Sequence, residues 1–442
     1  MFSKKKLIIK YNIILIYLVF FLLIILGTYY FGAYSFYHKL FPFNPSKKVE
    51  EKVSYLKTAY HDIEIKNYNM PNYSKYGGID FLSDNLIYME GNGDMYVFKK
   101  KLDDKFALKK IVTETVPNNR KEFIKKYEKE HGKVRLTNSF GIRDILIEKF
   151  KSKENYSLII STLDYDIDKD CHRLSVLTNE FINIEEIKLK EWKRIFSSKE
   201  CLNINLYKKK QFYLAGAGGR LVKFDDNNIL LSTGNFGGDG YYSSLIFPQD
   251  LKNDYGKIIQ INLDNLSSEI FSYGHRNPQG LFLLDKKNIF STEHGPKGGD
   301  ELNFILKGKN YGWPIATFGT DYFIKYSKTD ITNNSHNGFE KPIYSWGDKL
   351  GISQLIVYKS NYFNKWKENI ITTSLVGETL TRIIYDKDKK SIIYVENIPI
   401  GKRIRDIIEA PNGEIVLLTD QQGGYDGYNS VPEIIFLSKK PN

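Results

Sequence analysis

Cysteine is scarce in this chain: Cys171 and Cys201 are the only two in 442 residues. Neither has a second ligand at C-x-x-C spacing, which argues against a cysteine-based zinc site. Their separation of thirty residues leaves open whether they pair in an oxidising compartment. A P-loop, a dinucleotide fingerprint, an HExxH helix and a nucleophile elbow are all missing, which removes the usual nucleotide-binding, metalloprotease and hydrolase readings. The formal net charge is +12, yet no long basic tract occurs. Lys and Arg are scattered among Ile, Asn and Tyr, so the excess reads as a solvated basic surface with no nucleic-acid partner. Helix-period segments are nearly absent too; residues 118–131 are the one charged stretch suited to a surface helix.

Only one hydrophobic run is long. Lys4, Lys5, Lys6 and Lys10 precede an uncharged segment, residues 11–37, whose apolar centre runs over 13–26. At about 1.5 Å per helical residue such a run can cross a hydrocarbon core of roughly 30 Å. The N-terminal lysines orient the rest of the chain outward, and the aromatic Tyr29-Tyr30-Phe31 suits an interfacial belt. No A-x-A-like cleavage site follows. The expectation is a signal anchor over 1–37, a linker over 38–74 and an exported domain over 75–442, periplasmic if the cell is Gram-negative.

Beyond the linker the pattern is short strands separated by turns. Leu86-Ile87-Tyr88 and Met95-Tyr96-Val97-Phe98 flank Gly91-Asn92-Gly93-Asp94, a strong hairpin signal. Similar pairs flank Asp225-Asp226-Asn227-Asn228, Asp386-Lys387-Asp388 and Pro411-Asn412-Gly413. With 42% hydrophobic residues the core is ample for one large domain or two smaller ones. An all-β sandwich or propeller follows, and the length suits a propeller better.

The densest chemistry lies in residues 274–314. Gly274-His275-Arg276-Asn277-Pro278-Gln279-Gly280 is followed by Glu293-His294-Gly295-Pro296-Lys297-Gly298-Gly299-Asp300-Glu301, then by Gly308-Lys309-Asn310-Tyr311-Gly312-Trp313-Pro314. Glycines at this density let backbone approach a ligand and point carbonyls at a cation. This run, with Arg403-Ile404-Arg405-Asp406 further on, resembles the glucose/sorbosone dehydrogenase family. The resemblance implies a six-bladed β-propeller that oxidises a sugar or polyol with pyrroloquinoline quinone and calcium. It places Arg276, Asn277, His294, Arg403 and Arg405 at the cofactor. It gives the active-site calcium to the carbonyls of Gly295 and Pro296, and a second, structural calcium to Glu301, Tyr311 and Asp321. An Arg fork suits the quinone's carboxylates, and a hard cation suits its carbonyl.

Two positions break the pattern. The catalytic histidine that the family carries four residues before Arg-Leu-Val falls on Gly216 in Gly216-Ala217-Gly218-Gly219-Arg220-Leu221-Val222, and the neighbouring carboxylate falls on Ala215. The family's cofactor lysine falls on Val376. No catalytic residue is therefore assigned; His294, His275 and Asp239 are the nearest bases in sequence. Losing a general base costs about 100- to 10,000-fold in rate. The alternative expectation is a calcium-stabilised propeller that binds a carbohydrate or protein without catalysis.

Overall fold

A computed structural model describes residues 17, 19–30, 51–71, 75–100, 106–111, 115–131, 139–150, 155–182, 191–203, 214–240, 243–320, 332–333, 335–420 and 432–441. Contacts divide the chain into two units, Met1–Val49 and Glu50–Asn442. In the first unit residue 17 and residues 19–30 are helical. Their large apolar side chains, Phe20 through Leu26, are exposed. Most of the expected anchor falls outside the described residues, among which no helix is long and apolar enough to cross a membrane.

The second unit is an all-β six-bladed propeller. Strong turn chemistry and β-branched strands produce five four-stranded antiparallel blades and a five-stranded sixth. Blade 1 begins with Gly77–Leu82, blade 2 with Ile142–Glu148, blade 3 with Gly218–Lys223, blade 4 with Pro278–Asp285, blade 5 with Ile352–Val357 and blade 6 with Ile404–Glu409. These six inner strands contact one another in order, the sixth meeting the first, so the ring is closed. The apolar core sits between blades: Leu163, Leu174, Leu221 and Leu231 pack blade 2 against blade 3, and the other faces have similar layers. The hairpins foreseen from turn residues form, and Arg120–His131 is a helix.

One segment differs from expectation. Glu51–Lys57 and Asp62–Asn69 lie in the stretch read as a linker, yet they are strands of blade 6. Asp62–Asn69 pairs antiparallel with Glu433–Lys439, from Ile63 opposite Lys439 to Asn69 opposite Glu433. The two ends of the propeller are thereby zipped, and the edge of Glu433–Lys439 is covered. Ile63 and Ile65 point to one face and Tyr68 to the other, each into a separate apolar cluster, so the strand is covered on both sides.

Cys171 and Cys201 form a disulfide with Cα atoms 5.4 Å apart. It ties the third strand of blade 2, Cys171–Phe181, to the segment leaving that blade, beside the backbone bridge between His172 and Leu202. Closing a loop of this length removes unfolded-state entropy worth about 3.6 kcal/mol. A Cys171→Ser/Cys201→Ser double variant is expected to unfold at clearly lower urea, and oxidised and reduced wild-type protein should differ by the same amount. Coincident unfolding curves would show that the bond adds nothing.

Candidate functional site

Tyr76, Arg143, Gly216, Asn277 and Arg403 all stand at or just before the start of an inner strand. Glu293, Leu375 and Asp420 stand at the ends of the second strands, which run antiparallel to the inner ones. Chain direction alone therefore gathers these residues at one end of the ring.

Blade 4 supplies the centre. Gly274 has φ 79°, and a Cβ there would lie 2.1 Å from Asn310 Oδ1, so only glycine lets this loop dock on the Asn310–Gly312 turn. Buried Glu293 fixes the loop that follows: Oε2 accepts the Arg276 backbone N–H at 2.8 Å, and Oε1 accepts Asn303 Nδ2 at 2.7 Å and lies 3.2 Å from His275 Nδ1. The Arg276 guanidinium then lies 5.2 Å from the Trp313 ring centre and donates through Nη1 to the His294 carbonyl at 3.1 Å. Its Nε is buried without a hydrogen-bond partner. Asn277 Oδ1 accepts the Gly218 N–H at 3.1 Å and Gln279 Nε2 at 2.9 Å, and its Nδ2 lies 3.3 Å from His294 Nδ1.

Blade 6 joins through the same glutamine. Arg405 Nη1 donates to Gln279 Oε1 at 2.8 Å, Nη2 pairs with Asp420, and Nε is buried with no partner. Arg403 donates to the Leu375 carbonyl at 3.1 Å. The strand starts at Ile404, with a register shift between Ile404 and Asp406, and both arginines lie close enough to Asp420 to lower its pKa. Arg276, Asn277, His294 and Arg405 thus form one hydrogen-bonded chain, and Arg403 flanks it.

The expected bases fare differently. Burial, with Arg276 and Arg405 nearby, lowers His294 to about 4 despite the opposing field of Asp300, so the ring is neutral near pH 7 and a weak proton acceptor. His275 is fully enclosed, 2.8 Å from Ser272 Oγ and stacked on Tyr311. Asp239 is buried and accepts Asn235 Nδ2 at 3.1 Å. Gly216 lies in the turn Leu214–Gly216, and its carbonyl accepts the Phe236 N–H. Asn235, beside that turn, donates its N–H to the Arg276 carbonyl at 2.8 Å. The position lacking its histidine is therefore tied through backbone bonds to the Arg276 loop. Val376 is 52% exposed, next to the Leu375 carbonyl that Arg403 holds.

Of the proposed cation ligands, Glu301 and Tyr311 line a cavity of about 10 Å³, room for one water-sized body, together with Glu293, Arg276 and Gly295. Glu301 faces Glu293 across the strand pair. Burial, then Glu293 and Asp300, push the Glu301 carboxyl well above the usual carboxylate range, with Asn303 opposing. His336 Nε2 is 3.6 Å from Glu301 Oε1, and both its ring nitrogens are buried without hydrogen bonds. Two facing carboxylates around a small void are a donor set that fits a hard cation. Gly295 also lines this cavity, its N–H held by Asp300 Oδ1 at 2.9 Å, whereas Pro296 is not in the lining. Asp321 lies outside the described residues.

Sequence reasoning missed Tyr76, Arg143, Gln279, His336 and the anchoring part of Glu293. Only Gln279 and Glu293 carried a signal, as members of the two dense motifs.

Residues 119–426 match the family model described as Glucose / Sorbosone dehydrogenase. The chain is 34% identical over 224 residues to the aldose sugar dehydrogenase YliI of Escherichia coli (strain K12), and 26% identical over 283 residues to quinoprotein glucose dehydrogenase B of Acinetobacter calcoaceticus. These matches take in 47% and 46% of this chain and 58% and 59% of those proteins, so the chain spans under two thirds of the length of either relative. The crystal structure of the apo soluble aldose sugar dehydrogenase from Escherichia coli superposes with a TM-score of 0.65 at 20% identity, covering 85% of this chain and all of that one, a likeness of fold. With most of its length inside the family match, the chain belongs to the glucose/sorbosone dehydrogenase family.

Proposed function

We propose that the protein is a membrane-anchored quinoprotein that dehydrogenates a sugar or polyol hydroxyl at the gathered end of its propeller. The observation that carries this reading is the pair Arg276 and Arg405. Their Nε groups are buried without acceptors, and the bridge Asn277–Gln279 links them. Donors left unsatisfied in this way fit a ligand with several carboxylates, as pyrroloquinoline quinone has. Arg276, Arg403, Arg405 and Asn277 would hold it, and Gly295 and Pro296 would hold calcium beside it. Hydride acceptance is the chemistry that the quinone supplies when bound. Neutral His294 orients Asn277, and Trp313 backs Arg276 against solvent. The lysine-flanked apolar N-terminus supports an anchor, and the disulfide supports an oxidising, exported location.

The second reading, a calcium-stabilised carbohydrate- or protein-binding propeller, is favoured by Gly216, which cannot accept a proton. Titrating the full-length protein with pyrroloquinoline quinone in calcium buffer separates the two. Saturable binding is expected, weakened by at least about tenfold in Arg276→Ala, since a charge-assisted hydrogen bond contributes about 1.5–3 kcal/mol. Absence of binding would discard the dehydrogenase reading in favour of the binding module.

A further inference from the structure

The Gly216 turn has an unassigned neighbour. Tyr76, in left-handed backbone geometry with φ 63°, has its ring centre 3.9 Å from Arg143 Cζ and 4.5 Å from Arg405 Cζ. A bulky residue at positive φ is uncommon and persists only where its surroundings hold it. Both guanidiniums lead to the site. Arg143 is buried and donates through Nη2 to the Leu214 carbonyl at 2.7 Å, in the turn that ends at Gly216. Gly219, with φ 110°, makes room for it: a Cβ there would lie 2.4 Å from Arg143 Cβ. Arg405 leads through Gln279 to Asn277 and so to Arg276. Tyr76 therefore contacts both the arginine that holds the turn of the vacated base position and one of the arginines that would hold the cofactor.

We propose that Tyr76 is the proton acceptor that replaces the missing histidine. The proposal rests on the dehydrogenase reading. The Tyr76 phenolate oxygen takes the proton of the sugar hydroxyl as the carbon bearing it releases hydride to an ortho-quinone oxidant. The C–H and O–H bonds break and a C=O bond forms; two electrons leave with the hydride, and Tyr76, now a neutral phenol, returns its proton to solvent. The groups facing Tyr76 suit this. Arg143 approaches from blade 2 and Arg403 and Arg405 from blade 6, with Ser139 hydrogen-bonded and Asp420 as the opposing carboxylate. Burial alone would raise the phenol's pKa, but Arg143 and Arg405 outweigh it and bring it below the ordinary tyrosine value.

Tyr76→Phe keeps the ring and its stacking and removes only the hydroxyl. Phenolate absorbance of the full-length, quinone-free protein is expected to show one tyrosine ionising below the others, absent in Tyr76→Phe. Quinone binding by calorimetry should be unchanged. Reduction of the bound quinone by aldoses should slow by about 100- to 10,000-fold and lose its rise with pH. Three results would overturn the proposal: no low-titrating tyrosine, equal reduction rates in the variant, or quinone binding only once the variant is made. Wild-type protein that binds the quinone but oxidises no sugar would instead discard the dehydrogenase reading, and this assignment with it.

Discussion

Arg220→Met is expected to lower the stability of the propeller by about 3–5 kcal/mol, the usual cost of removing one partner from a buried ion pair. Arg220 lies at the hub of the inner ring, 3% exposed. Nη1 is 3.0 Å from Asp144 Oδ1 and 3.1 Å from Asp406 Oδ2; Nε donates to the Gln279 carbonyl at 2.7 Å and Nη2 to the Arg405 carbonyl. One side chain thus joins blades 2, 3, 4 and 6. Methionine would leave two carboxylates and two carbonyls buried without their donor. Those carboxylates also fasten neighbouring strands: Asp144 accepts the Leu221 N–H at 2.8 Å and Asp406 the Ile79 N–H at 3.3 Å. Adding Asp144→Asn and Asp406→Asn should recover part of the loss, because an amide oxygen still accepts those N–H groups and carries no charge to strand. Urea unfolding measures all of this. A single variant within about 0.5 kcal/mol of wild type would show that the hub does not hold the ring.

The hub and the site share residues, which bears on what the sequence could reveal. Arg220 follows the glycines that replaced the expected histidine segment, and Arg405 gives its carbonyl to Arg220 and its guanidinium to Gln279. Hairpins were legible because their cause is local: Gly91-Asn92-Gly93-Asp94 determines a turn whatever surrounds it. The blade 4 motifs were legible because their spacing is short and dense. Closure of the ring was not, since Asp62–Asn69 and Glu433–Lys439 are far apart in the chain and each looks like an ordinary edge strand. Tyr76 and Arg143 were opaque for a related reason. Nothing in a lone Tyr or Arg announces that two other blades will bring guanidiniums against one ring.

Calcium is expected to raise the melting temperature of the wild-type protein and a chelator to lower it, and Glu301→Gln should abolish that response. Binding to the folded state alone adds about 2.7 kcal/mol at a hundredfold excess over Kd. The variant should also behave oppositely to wild type once calcium is removed. The folded Glu301 carboxyl is pushed up by burial and by Glu293 and Asp300, whereas an unfolded glutamate titrates near about 4.3. The folded state then binds the extra proton, so this group's contribution is intact below the unfolded value and is lost as pH rises through the folded one. Chelated Glu301→Gln should consequently match wild type at about pH 4 and exceed it at neutral pH, since a glutamine still accepts Asn303 Nδ2 and never ionises. Thermal scans at the two pH values, with calcium and with chelator, give four comparisons. A variant less stable than wild type in chelator at neutral pH would mean that Glu301 is a structural hydrogen-bonding residue, with no cation behind its burial.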